Sequence, residues 1–129
     1  MRDRAHVALL ERLRVRLAPG LRWRVEVPLA IPGDLRAWDA EVAGVGWRMR
    51  IDAETAIADG QLLERRLALK GRDSGPGHVV LLVADTRANR QAIQLLRPGL
   101  RDLLRLDTRA VLRALGAGLD PGAGGIVVI

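Results

Sequence analysis

The sequence predicts a single α/β domain, and three observations carry that expectation. Hydrophobic periodicity switches from a helical to an alternating pattern close to residue 20. Two alternating segments, Leu35–Ala43 and Trp47–Glu54, are spaced to pair as a hairpin through Val45-Gly46. An unbroken apolar run from His78 to Ala84 follows a helical stretch, as expected of a strand covered on both faces in a parallel, right-handed strand–helix–strand unit.

Taken in order, Asp3 to Leu17 reads as an amphipathic helix. Leu9, Leu10, Leu13 and Leu17 form its buried stripe, and Arg2, Arg12, Arg14 and Arg16 point outward. Pro19-Gly20 stops it. Leu21 to Leu29 alternates, with Trp23, Val25, Val27 and Leu29 on one face and Arg22, Arg24 and Glu26 on the other. Pro32-Gly33-Asp34 then turns the chain into the hairpin. Thr55 or Asp59 caps a helix that runs to about Lys70 and stops at Gly71. After the strand from His78, Asp85 or Thr86 caps a helix to about Arg97, ended by Pro98-Gly99. Thr108 to Leu115 forms a last helix, and Ile126–Ile129 a short final strand after a glycine-rich stretch. The order is helix, three strands, helix, strand, then C-terminal helices, in two or three layers.

Composition narrows the function classes. At 129 residues the chain suits one domain with a core of its own. It has no cysteine, which excludes disulfides, thiolate catalysis and cysteine-based zinc sites and agrees with a cytoplasmic location. The start of the chain lacks a signal-peptide core, and no apolar run approaches the roughly 18 residues that span a bilayer, so no membrane association is expected. Net charge is +6, carried almost wholly by arginine, whose fork matches phosphate and suits a DNA partner. Tyr and Phe are absent, which argues against stacking of unpaired bases on aromatic platforms.

The hairpin holds the most informative residues. Its register places Trp38 opposite Ala53, Ala40 opposite Ile51 and Val42 opposite Met49 on an apolar face. The other face carries Glu41 with Arg50, Ala43 with Arg48, and Asp39 with Asp52, and Glu54 lies beside them. Like charges directly opposed are destabilising, so a shared cation is expected between Asp39 and Asp52. Arg48 and Arg50 could neutralise these acids or contact nucleic acid. His6 and His78 have no partner at metal-ligand spacing, and Glu11 reads as a rim charge.

This arrangement resembles the PD-(D/E)XK nuclease-like (restriction-endonuclease-like) superfamily over roughly Arg4 to Asp85. The helix, three strands, helix, strand order is that family's core, and Ile51-Asp52-Ala53-Glu54 stands where its motif would lie. The resemblance implies a divalent ion, Mg²⁺ or Mn²⁺, held by Asp39 and Asp52, with Asp34 in the turn as the weaker first ligand. Such an ion would activate water and offset charge on a phosphodiester. Asp52-Ala53-Glu54-Thr55 with Gln61 is also similar to the Asp-x-Lys-Thr…Gln arrangement of the RecB-type branch. That implies roles for Glu54 and Gln61 in catalysis. Glu54 replaces the family's lysine, and the single lysine, Lys70, lies far along the next helix, where the helix dipole explains it. The expectation is therefore a DNA-associated domain with weak or absent hydrolysis. The alternatives are a non-catalytic dimerisation or sensing domain of a transcriptional regulator, acting as a homodimer, and an active Mg-dependent endonuclease. Similar-looking domains accompany helix-turn-helix regulators in bacteria; here the first helix leads into a strand instead.

Overall fold

The computed structural model describes residues 3–129; Met1 and Arg2, and with them the outward position expected for Arg2, lie outside the described residues. Four helices and five strands follow one another as α1 (Arg4–Arg14), β1 (Arg22–Pro28), β2 (Ala37–Gly44), β3 (Trp47–Glu54), α2 (Gly60–Asp73), β4 (His78–Val83), α3 (Arg87–Leu100), α4 (Thr108–Gly116) and β5 (Gly125–Val128). The strands form one mixed sheet in sequence order. β1, β2 and β3 are mutually antiparallel, and β4 and β5 continue parallel to β3.

Two apolar layers sandwich the sheet. One joins Leu9, Leu10 and Leu13 of α1 and Val111 and Leu115 of α4 to Val42, Met49, Ile51, Val80 and Val127. The other joins Leu63 and Leu67 of α2 and Ile93, Leu96 and Leu100 of α3 to Val79, Leu81, Val83 and Ile126. β4 serves both layers, which is why its sequence is apolar from Val79 to Val83 rather than alternating. Aspartate or threonine side chains cap all four helices: Asp3, Asp59, Thr86 and Asp107 accept from His6, Leu62, Asn89 and Ala110 amides.

Three element boundaries differ from expectation. α2 runs through Gly71 to Asp73, because Gly71 fits close to Leu103 and Val79 where a Cβ would stand 3.3 Å from Leu103. α3 likewise passes Pro98 and Gly99 and ends at Leu100. At Gly99 the bare backbone lets the Glu64 side chain of α2 pack against the helix. α1 ends earlier, at Arg14, with Val15 as its C-cap.

The hairpin register is the expected one from Ala40↔Ile51 to Gly44↔Trp47. The face assignment of Trp38 is not. Ala40 and Val42 pack toward α1, whereas Trp38 packs with Leu63 and Leu67 in the α2 layer. Val27, its partner on β1, faces the same way, although Trp23 two pairs earlier faces α1. Both strands therefore exchange faces at one step, between Val25↔Ala40 and Val27↔Trp38. Glu26 stands at that step with φ of 53°, a left-handed conformation that breaks the two-residue alternation. Its counterpart on β2 is Asp39.

Candidate functional site

Asp39 lies where the β2–β3 ladder ends, and its side chain takes over from the ladder. One carboxylate oxygen accepts the Ala53 amide at 2.8 Å, while the Asp39 amide points at Asp52 Oδ1 at 3.4 Å. Asp39 thus reaches the Asp52 carboxylate through its own amide, while its side chain takes the amide of the next residue, Ala53. The same Asp39 oxygen lies 3.2 Å from His6 Nε2, delivered by the first turn of α1 from across the sheet.

Asp52 points the other way, under α2. Lys70 Nζ donates to both of its carboxylate oxygens at 2.9 and 2.8 Å and to the Ala37 carbonyl at 2.6 Å. All three ammonium hydrogens are thereby placed. The ammonium also stands 4.4 Å from the centre of the Trp38 ring, a cation–π contact made possible by the exchange of faces at Glu26. Ser74, the α2 C-cap, accepts from Trp38 Nε1 at 2.9 Å and fixes the indole. The pair is closed to water: the side chains of Lys70 and Asp52 are 6% and 4% exposed. Burial pushes the Asp52 carboxyl above its ordinary value, and the Lys70 ammonium pulls it partly back.

Lys70 is the site residue that the sequence reading missed. The helix dipole accounts for a lysine near a helix C-terminus, yet Leu63, Leu67 and Lys70 follow the spacing of one buried helical stripe. That spacing was the available signal.

The other expected site residues fall around this pair or away from it. Glu54, at the end of β3, is bound to Arg66 of α2 in a close ion pair. Gln61 is exposed in the first turn of α2 and, among the described residues, makes no hydrogen bond to the acids. Asp34 is tied to Arg36 at 2.6 Å, which holds its carboxyl down at about 2, and Arg36 also reaches Asp73 at 3.0 Å. Arg50 is buried and donates to the Gly75 carbonyl at 3.3 Å; burial lowers its pKa. Arg48 is half exposed, 3.9 Å from Glu41. Glu11 pairs with Arg14 on the surface, and His78 lies 3.4 Å from Asp120.

These residues do not fit a divalent ion. Among the described residues no group of three or more His, Asp or Glu side chains could hold one. Both oxygens of Asp52, the best placed ligand, already face an ammonium. A metal at Asp52 would have to displace or sit beside that fixed positive charge, which Coulomb repulsion disfavours most in a dry site. Asp39, Asp52 and Glu54 instead each lie against a basic side chain, His6, Lys70 and Arg66. Among the described residues no helix is long and apolar enough to cross a membrane. No family model, curated protein or solved structure matches the chain.

Proposed function

We propose that this chain is a DNA-associated domain of nuclease-like fold in which a lysine stands where a metal ion would act, and that it does not hydrolyse phosphodiesters. The observation that carries the reading is the buried Lys70–Asp52 pair beside Asp39. Asp52 has its cation in Lys70, while Asp39 turns to His6 on the opposite face. Support for the nuclease-like core comes from the order of elements, one helix, three antiparallel strands, a helix and a parallel strand, with Asp39 on the second strand and Asp52 on the third. Support for DNA comes from the net charge of +6 carried by arginine.

The test is incubation with supercoiled plasmid and Mg²⁺ or Mn²⁺, with binding followed by gel retardation across a salt series. The reading expects salt-sensitive retardation and no nicking above a protein-free control. Nicking that disappears in both Asp39→Ala and Asp52→Ala would overturn the silent site. Absence of retardation at low salt would overturn the DNA association and favour an accessory domain.

A further inference from the structure

At the turn end of the hairpin, away from the acids, the register sets arginines in two rows across three strands. Arg22 on β1, Ala43 on β2 and Arg48 on β3 are consecutive partners; so are Arg24, Glu41 and Arg50 in the next row. Paired residues project from the same side of a sheet, so four guanidinium groups share one face around one carboxylate. Arg22, Arg24 and Arg48 are exposed, whereas Glu41 and Arg50 are buried beneath them. Arg50 is pinned to the Gly75 carbonyl, and Glu41, in the second row, lies 3.9 Å from Arg48 of the first.

The first row opens onto a cleft at the turn end of the hairpin. This open cleft of about 410 Å³ beside Arg22 and Arg48 is lined by Trp47 and by the small residues Ala43, Gly44 and Gly77. Gly77 has φ of 139°, and a Cβ there would stand 2.7 Å from Arg50 Nη1 and 2.9 Å from Arg48 Cγ. Any other residue would push the arginines aside. His78, paired to Asp120, closes one rim.

We infer that this arginine face is the surface that grips the DNA phosphate backbone. The inference rests on the DNA-associated reading above and names the contact surface for it. Backbone positions about 6.8 Å apart along β1 and about 10 Å apart from β1 to β3 set out a grid of bidentate donors on one sheet face. A flat grid without a protruding element suits phosphates rather than base edges, which are read by a helix or ribbon in a groove. The exposed donors are all arginine, whose forks match phosphate oxygens bidentately.

The experiment measures affinity for a short duplex by fluorescence anisotropy across a salt series. Arg22→Gln/Arg24→Gln/Arg48→Gln is compared with Arg4→Gln/Arg109→Gln/Arg113→Gln, which removes equal charge from α1 and α4 on the opposite face. The face variant should lose at least about tenfold in affinity, and its salt slope should fall by about 2.7, at about 0.9 per phosphate contact. The control should stay within about threefold. Each single variant at these exposed positions should lower the slope by about 0.9, so the result stands even if the triple variant folds poorly. Equal losses in the face and control variants would overturn the inference, as would binding of polyglutamate as tight as that of duplex. Wild-type binding that the face variants leave unchanged would overturn the surface while the DNA-associated reading stands. A wild type that binds no duplex would remove both.

Discussion

Replacing Lys70 by Met tests the buried ion pair on which the site reading rests. Methionine fills much of the lysine stem's volume and keeps the apolar contact with Trp38, so the change isolates the ammonium. That ammonium donates to both oxygens of Asp52 and to the Ala37 carbonyl in a site whose side chains are 6% and 4% exposed. Removing one partner of a buried pair leaves an uncompensated charge and costs about 3–5 kcal/mol. A domain of this size has about 5–15 kcal/mol in total, so the variant should fold but be visibly weakened. With a urea m-value of about 2 kcal/mol/M, the unfolding midpoint at pH 7 should fall by about 2 M. The loss should shrink in acid. The Asp52 carboxyl is already raised by burial, and without Lys70 it rises further. The folded state then keeps its proton at a pH where the unfolded chain has lost it. Stability from this group is greatest near and below the ordinary carboxylate value and falls as pH rises through the raised one. The variant should therefore recover part of its deficit at pH 5. Lys70→Met/Asp52→Leu should recover most of it at every pH, since an apolar pair of similar volume often matches a buried ion pair. A Lys70→Met midpoint within about 0.3 M of wild type at pH 7 would refute the reasoning, and so would a loss that does not vary with pH.

Further expectations follow from single contacts. Trp38→Phe removes the hydrogen bond to Ser74 and weakens the cation–π contact, and should cost about 1–2 kcal/mol in urea unfolding; an unchanged midpoint would contradict the placement of Trp38 in the α2 layer. Gly46→Ala meets no neighbouring atom but must hold φ of 81°, so it should cost about 1 kcal/mol from backbone conformation alone, and calorimetric melting checks it. Asp34 should titrate at about 2 by NMR, and Arg36→Gln should return it toward the ordinary carboxylate value. Because that folded pKa is lowered, the contribution of Asp34 is present above the unfolded value and is lost as pH falls toward 2.

Much of the architecture was legible because it depends on patterns that tertiary context seldom overrides. The apolar run of β4 implied a two-sided strand, and Ala40, Val42, Met49 and Ile51 fixed the hairpin register through one buried face. The exchange of faces at Glu26 and Asp39 was not legible. Alternation extrapolates through any residue, and no glycine or asparagine marks the left-handed position. Trp38 was consequently assigned to the wrong layer, and the partner it gives Lys70 could not be foreseen. Gly71 and Pro98-Gly99 looked like helix stops because the local rule was applied without the packing of α2 and α3 on each other, which uses bare backbone at Gly99. Asp39 and Asp52 are neighbours along the backbone, but their side chains leave on opposite faces, to His6 and to Lys70, so the shared cation expected between directly opposed acids is not there. Their chemistry turned on side-chain direction and on a lysine 18 residues away in sequence, which strand pairing alone does not supply.

The most direct test of the claim that Lys70 takes the place of a metal is calorimetric titration of Mn²⁺ into the wild-type protein and into Asp52→Ala. With Lys70 on both Asp52 oxygens, no saturable heat is expected at millimolar metal in the wild type, and the same flat trace in the variant. A stoichiometric site in the wild type that vanishes in Asp52→Ala would contradict it.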